Sequence, residues 1–307
     1  MKNVTLKQLR VLSAVTKTGS MAGAARQLNV TPPAITVQVQ QLEQSVGLPL
    51  VERFAEKTTP TAAGEVLLRS AQRIELILAE CGQTIAQIKG ISGGRVSAGV
   101  VSTAKYFAPK ALAAFKNRHP GVELRLSVRN RQETIEALRD LTLDLAIMGR
   151  PPEHLDLEST VLGDHPHIIV AHGEHPLVGT RLSMGALEPE TFFIREQGSG
   201  TRILMERLFD EAGVTPSVGM EIGSNETIKQ AVIAGLGIAF ISAHTVAVEI
   251  ADGRLAELQV EGLPMVRKWY AVRLREKAVL PAAEAMWQFL AAEIQSFLPQ
   301  AAASELA

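Results

Sequence analysis

The hydrophobic pattern of this 307-residue chain changes its period once, at the Gly/Ser-rich segment Gly90, Ser92, Gly93 and Gly94. Before that segment apolar residues recur three and four apart, the spacing of helices. Beyond it short β-rich runs alternate with helical ones, the pattern of parallel sheets with crossover helices. Two folding patterns joined by a hinge-like linker make a multidomain protein. The expected division is a small helical domain over 1–60, a long linking helix over 61–90 and an α/β body over 91–307. Charge divides the same way. Residues 1–90 carry ten Lys/Arg against six Asp/Glu, a net of +4, and the remaining 21 and 26 leave −5 on residues 91–307. The total of −1 excludes a uniformly basic nucleic-acid coat, and the head is where an anionic partner belongs. A single cysteine excludes a disulfide framework and a multi-cysteine zinc site. With no apolar run near 18 residues and no signal-like N-terminus, a cytoplasmic protein without membrane contact is expected.

Within the head, Leu6, Leu9, Leu12 and Val15 mark a first helix ending at Gly19. Ser20 caps a second, with Met21, Ala24, Ala25 and Leu28 inward. Asn29-Val30 makes the turn, with Val30 free to plug the corner. Thr31 caps a third helix with Pro32 at its first position, and Ile35, Val39, Leu42 and Val46 form its buried stripe. Two helices joined by a tight turn make a helix-turn-helix, and Leu48 to Pro60 suits a two-stranded wing. A plain helical hairpin has the same pattern.

The run Gly19-Ser20-Met21-Ala22-Gly23-Ala24-Ala25-Arg26-Gln27-Leu28-Asn29-Val30-Thr31-Pro32-Pro33-Ala34-Ile35-Thr36 resembles the N-terminal signature of LysR-type transcriptional regulators. Leu42-Glu43, Gly47-Leu48-Pro49-Leu50, Arg53 and Thr61-Ala62-Ala63-Gly64 continue the resemblance, which spans essentially the whole chain. It implies an all-α winged helix-turn-helix DNA-binding domain, a dimerisation helix and a two-lobed, periplasmic-binding-protein-like effector domain. Pro32 stands where Gln is frequent and Val37 where a basic or polar residue is frequent, so base preference cannot be carried over from other members.

The third helix has no Lys or Arg, and Glu43 is its only charge. It cannot gain affinity from many phosphate contacts. Pro33, Thr36, Val37 and Gln40 point roughly outward, with Pro32 beside them. Apolar and Thr side chains suit thymine methyls, and Gln40 suits an adenine edge. Phosphates are assigned to Ser20, Arg26, Thr31, Arg53 and Lys57.

From Thr61 to Lys89 no proline interrupts the helical pattern. Leu67, Ala71, Ile74, Leu78, Cys81, Ile85 and Ile88 alternate four and three apart, a seam of about three heptads. The seam could pack on its own domain. The resemblance favours a dimer, or a tetramer of two dimers, on inverted-repeat double-stranded DNA. Cys81 is then expected to be a buried small hydrophobe.

The body is expected to split into lobe I, about 91–162 and 266–307, and lobe II, about 163–265. Ligands of such sheets lie beyond the carboxyl ends of strands. Three segments meet that rule: Ser102-Thr103-Ala104-Lys105, Gly149-Arg150-Pro151, and Arg195 to Arg202. Gly198 and Gly200 would let backbone approach a ligand. Ser102, Thr103, Lys105, Arg150, Arg195, Ser199, Thr201 and Arg202 fit a small anionic metabolite, a phosphorylated sugar or a carboxylate, with Glu226 lining the same cleft. The runs Met148-Gly149-Arg150-Pro151-Pro152, Thr191 to Arg202 and Ser224 to Val232 are similar to the branch of the family that regulates carbon-dioxide-fixation (Calvin-cycle) operons. That branch implies sugar bisphosphates, phosphoenolpyruvate or reduced nicotinamide cofactor as effectors.

An enzyme is not expected: no nucleophile elbow, Walker loop or His-Glu-x-x-His pattern is present, so no catalytic residues are assigned. His165, His167, His172 and His175 invite a metal, but His165-Pro166 and His175-Pro176 read as turns flanking a strand, and no metal or cofactor is assigned. The competing class is a cytoplasmic small-molecule-binding protein without a DNA role, which leaves residues 1–60 unexplained. In the favoured reading the anion closes the cleft, shifts subunit geometry and so alters DNA bend and contact with RNA polymerase.

Overall fold

The structure, a computed structural model, describes residues 3–54, 57–88 and 93–299. Gly90 and Ser92 of the expected hinge and the side chain of Ile88 lie outside the described residues. The chain forms two compact units, residues 1–85 and 86–307. Among the described residues no helix is long and apolar enough to cross a membrane.

The first unit contains α1 (Leu6–Thr18), α2 (Met21–Leu28), α3 (Pro32–Val46), β1 (Val51–Phe54), β2 (Lys57–Pro60) and α4 (Ala62–Ile88). Gly19, Asn29 and Gly47 end the first three helices in left-handed conformations, so the turns fall where small or amide residues permit them. Val11, Ala14 and Val15 of α1 pack on Ala24, Ala25, Ile35 and Val39 to form the helix-turn-helix core. Val30 does not plug the corner; it is exposed, since the core is already closed by Leu28 and Met21. The wing is an antiparallel hairpin with Val51 opposite Pro60 and Phe54 opposite Lys57. Glu43 fixes its start, accepting the Leu50 N–H at 2.8 Å.

The expected seam of α4 divides. Leu67 and Ala71, with Ile74, pack into a second core with Leu9, Leu12, Leu42 and Leu50 of the same unit. Leu78, Cys81 and Ile85 are exposed in the chain. The front half of the helix is therefore part of the winged domain, and of the described apolar residues in its rear half Leu78 and Ile85 are left exposed. Cys81 is thus not a buried hydrophobe within its own chain.

The second unit is a nine-stranded sheet with helices on both faces. Its elements are β3 (Gly94–Val101), α5 (Ala108–Arg118), β4 (Val122–Arg129), α6 (Arg131–Arg139), β5 (Leu145–Met148), β6 (Leu157–His172), β7 (Arg181–Leu182), β8 (Thr191–Arg195), α7 (Gly200–Ala212), β9 (Ser217–Ile222), α8 (Asn225–Ile233), β10 (Ile238–Ser242), α9 (Ala243–Ala251), β11 (Leu255–Glu257), β12 (Gln259–Val260), β13 (Met265–Leu274) and α10 (Pro281–Glu293). Strands run in the order β4-β3-β5-β13-β6-β10-β8-β9, with β11 also on β6. Parallel strands β4, β3 and β5 make one lobe, and parallel β10, β8 and β9 the other. Antiparallel β6 and β13 pair from Leu157↔Leu274 to His167↔Met265 and cross between them. In the second lobe alternate residues serve opposite faces: Ile169, Phe192 and Phe240 pack with Met205 and Phe209 of α7, whereas Ile168, Phe193 and Ile241 pack with Ile228 of α8 and Val246 of α9.

The expected turn at His165-Pro166 is instead the middle of β6. Pro166 pairs with Val266 of β13, just before β10 joins the other edge at His167. With a neighbour on one side only, the strand tolerates a missing N–H there. His175-Pro176 does lie in a turn.

Candidate DNA-reading surface and effector cleft

α3 presents Pro32, Pro33, Val37 and Gln40 to solvent, with Thr36 half-exposed, while Ile35, Val39 and Leu42 are buried. The two periods, inward and outward, follow from the 3.6-residue turn. Thr31 holds the cap position but its hydroxyl caps nothing. Pro32 and Pro33 lack N–H groups, and the next two N–H groups, of Ala34 and Ile35, bond the Thr31 carbonyl. The start of α3 therefore offers a hydroxyl and apolar rings rather than free amides. The Thr36 hydroxyl donates to the Pro32 carbonyl at 3.2 Å, which leaves its methyl and an acceptor lone pair. Ser20 accepts the Gly23 N–H at 3.0 Å and keeps its own proton to donate. Arg26, Arg53 and Lys57 are exposed around the helix. Lys57 crosses Gly19, and the Thr58 N–H donates to the Gly19 carbonyl at 2.8 Å, so the wing is anchored on the α1–α2 turn. The aromatic ring of Phe54, 76% exposed at the wing, is an outward feature that spacing alone did not single out.

In the body, the ends of β3, β4, β5 and the β8–α7 junction converge on a cleft of about 300 Å³ between the lobes. Ser102, Thr103, Arg150, Ser199, Gly200 and Thr201 line it, as the sequence pattern led one to expect. The Ser199 hydroxyl heads α7 without bonding its first turn, leaving that turn for an incoming acceptor. The wall also holds Asn130, Arg131, His165, His167, Arg207 and Arg267. Arg131 donates to the Arg150 carbonyl at 3.0 Å, and burial together with Arg150 lowers its affinity for its proton. The end of β4 obeys the same strand-end rule as its neighbours, so Arg131 was findable. Arg207 lies two turns into α7 and Arg267 on a crossing strand, where no local signal marks them, and the clustering of His165 and His167 pointed to a metal rather than to this cleft.

Other predicted residues serve the frame. Arg195, 3% exposed, donates to Glu196 at 2.7 Å and 2.9 Å, to Asn225, and across the lobes to Ser102 at 3.1 Å. Arg202 is held by Glu206 and Glu221 and by the Arg195 carbonyl. Gly198 has φ +81°, and a side chain there would meet Gln132 at 2.9 Å; the Gln132 N–H donates to the Gly198 carbonyl at 3.2 Å. This glycine serves lobe-to-lobe approach rather than approach to a ligand. Lys105 and Glu226 sit apart from the cleft wall, around Tyr106: Lys105 and Lys229 lie 5.1 and 5.0 Å from its ring centre, and Glu226 accepts from its hydroxyl at 3.5 Å. Partial burial raises the Glu226 carboxyl, but hydrogen bonds from Lys229 and Gln230 outweigh it and hold the group below its usual range.

The four clustered histidines do not converge on one point as ligands. The His165 and His167 rings meet at a tilt with centres 4.2 Å apart, while His172 and His175 each accept a backbone N–H of the following turn. Among the described residues no group of three or more His, Cys, Asp or Glu is arranged to hold a metal ion.

A winged helix-turn-helix and a two-lobed cleft in one chain define a DNA-binding regulator with a sensory domain. Residues 6–65 match the bacterial regulatory helix-turn-helix protein, lysR family, and residues 89–295 the LysR substrate binding domain. The chain belongs to the LysR family of transcriptional regulators. It is 54% identical over 299 residues to the HTH-type transcriptional regulator CbbR of Xanthobacter flavus, covering 96% of this chain and 90% of that protein. To the RuBisCO operon transcriptional regulator of Allochromatium vinosum it is 41% identical, covering 95% and 97%. The regulatory domain of CcmR from Synechocystis PCC6803, solved in complex with 2-PG, superimposes with a TM-score of 0.63 at 37% identity over 65% of this chain and 96% of that one. Full-length CbnR, a LysR family regulator, has the same fold, with a TM-score of 0.70 over 94% and 98%.

Proposed function

We propose that this regulator controls carbon-fixation genes in response to a small phosphorylated anion, a sugar phosphate or a phosphorylated carboxylate, bound between its lobes. The observation that carries the reading is the cleft itself: Arg131, Arg150, Arg207 and Arg267 surround it, with the hydroxyls of Ser102, Thr103, Ser199 and Thr201 at its ends. Guanidinium groups and hydroxyls of that number suit a multiply charged anion. Relatives named as CbbR and RuBisCO operon regulators, and a neighbour solved with 2-PG, support the gene class and the ligand class. On the DNA side, Val37, Gln40, Thr36, Pro32 and Pro33 read bases, and Ser20, Arg26, Thr31, Arg53 and Lys57 hold phosphates. Paired heads on an inverted repeat follow from a dimer, and a tetramer from two of them; contact with RNA polymerase is the output.

The test is calorimetric titration of the full-length protein with 2-phosphoglycolate, ribulose 1,5-bisphosphate and phosphoenolpyruvate, beside DNase footprints on its carbon-fixation promoter. One of these anions should bind and alter the footprint. Binding without change of footprint would reject the regulatory role of that ligand, and no binding by any of them would reject the ligand class.

A further inference from the structure

His165 is the least satisfied side chain in the cleft wall. The residue is 95% buried, and among the described residues neither its Nδ1 nor its Nε2, both buried, has a hydrogen-bond partner. Buried imidazole nitrogens nearly always find one, so an unpartnered pair marks a place where another group is meant to arrive. The ring stacks on Trp269 of β13 with centres 3.6 Å apart and meets the His167 ring at a tilt, with centres 4.2 Å apart. Trp269 in turn donates to His244 of α9 at 3.1 Å. His167 contacts the His165 carbonyl through Nδ1 at 3.2 Å, so the pair is ordered along the strand.

The charges facing His165 are mainly cationic, although Arg150 and Arg207 are each paired with a carboxylate, of Glu153 and Glu211. Arg267 of β13 is its charged strand neighbour, and Arg131, Arg150 and Arg207 share the cleft wall. Asp164 precedes it on β6, but that carboxylate pairs with Lys268 at the surface. His167 and His244 complete the set of nearby titratable groups. Burial, then His167, His244 and Arg267, keep the ring neutral. An anion entering among the guanidinium groups reverses that field.

We infer that His165, on the crossing strand β6, receives the anionic effector through an imidazole N–H and takes up a proton as it does so. The inference rests on the proposed binding of an anion in this cleft. Its consequence is where the ligand acts. β6 and β13 are the two strands that pass between the lobes, and their pairing slips between Trp269 and Tyr270, beside the residue on which His165 stacks. A ligand bound there pulls on the crossing itself rather than only on the helix starts.

The experiment is titration of the full-length protein with 2-phosphoglycolate at pH 8.0, where a phosphate monoester of pKa about 6 is fully ionised. Heats are compared between buffers of different ionisation enthalpy, so that their slope counts protons taken from solvent. The wild type should take up a fraction of a proton per anion. His165→Phe, which keeps the stack, should abolish uptake and bind about tenfold more weakly, as loss of a charge-assisted hydrogen bond does. His165→Gln, a donor that does not titrate, should recover affinity without uptake. Should His165→Phe fail to fold, the wild-type slope and the Gln variant still decide. Buffer-independent heats in the wild type, or uptake unchanged in the variants, overturn this inference alone. Absence of binding by 2-phosphoglycolate, ribulose 1,5-bisphosphate and inorganic phosphate overturns the anion reading and this inference with it.

Discussion

Arg195 shows how far a residue's neighbours decide its role. It closes β8, the end from which ligand contacts are expected, and spacing alone assigned it to the effector. Its guanidinium is instead consumed by Glu196, Asn225 and Ser102. Asn225 is thirty residues away and Ser102 ninety-three, so no local pattern reports them. Ser102, Ser199 and Thr201 were legible because strand ends and helix starts are local features. Removing Arg195 should cost more than removing a ligand contact. Arg195→Ala leaves Glu196 and Asn225 without their cation and opens a tie between the lobes. An unfolding titration in urea should show a loss on the order of 3–5 kcal/mol. Arg195→Lys should recover only part of it, because a single ammonium cannot span the carboxylate, the amide and the hydroxyl together.

At the scale of elements, periodicity served the helices of the head well and the body less evenly. The stretch 104–118 is a short 3₁₀ turn over Ala104–Tyr106 and then α5, which starts beside Pro109. The strands β7, β11 and β12, of two or three residues each, are too short to carry a period. In the head, the motif Thr61-Ala62-Ala63-Gly64 now has a physical cause. Thr61 caps α4 by accepting the Gly64 N–H at 3.1 Å, and a methyl on Gly64 would stand 2.0 Å from the Leu50 carbonyl oxygen. Gly64→Ala must push α4 off the wing, at a cost of about 1–3 kcal/mol, seen as a lower melting temperature of the head and weaker DNA binding. Ala63→Gly, a change without the clash, should not loosen the wing contact.

The strand β6 and helix α9 carry a pH response as well. Burial pushes His167 down to about 3 and His244 to about 4, and His165 is lowered too. Each binds its proton more readily in the unfolded chain, where the ordinary value near 6.5 applies. Folding stability is therefore full above pH 6.5 and falls as the pH drops toward the folded values, by up to about 1.4 kcal/mol per histidine per pH unit. Melting curves between pH 7 and 5 should show this loss before carboxylates begin to titrate, and His167→Phe should flatten it. A melting temperature independent of pH over that range would contradict the neutral, buried state of the cluster.

For the molecule as a whole, the net charge of −1 conceals a +4 head and a −5 body, and α3, the proposed reading helix of that head, has no basic side chain. Phosphate contacts must therefore come from around it, and the exposed cations placed there are Arg26, Arg53 and Lys57. On the proposed inverted repeat two heads bring six. Each neutralised phosphate contributes about −0.9 to the slope of log affinity against log salt, so the slope should be roughly −5. Arg53→Ala should reduce its magnitude by about two in the dimer and weaken specific and random DNA alike. Val37→Ala should leave the slope unchanged and alter base preference instead, because Val37 offers a methyl surface and no charge. A steeper slope, near −10, would mean that cations outside this set touch the backbone. Equal losses on specific and random DNA for Val37→Ala would remove α3 from the reading role, and with it the division of labour between an uncharged helix that selects and a charged rim that holds.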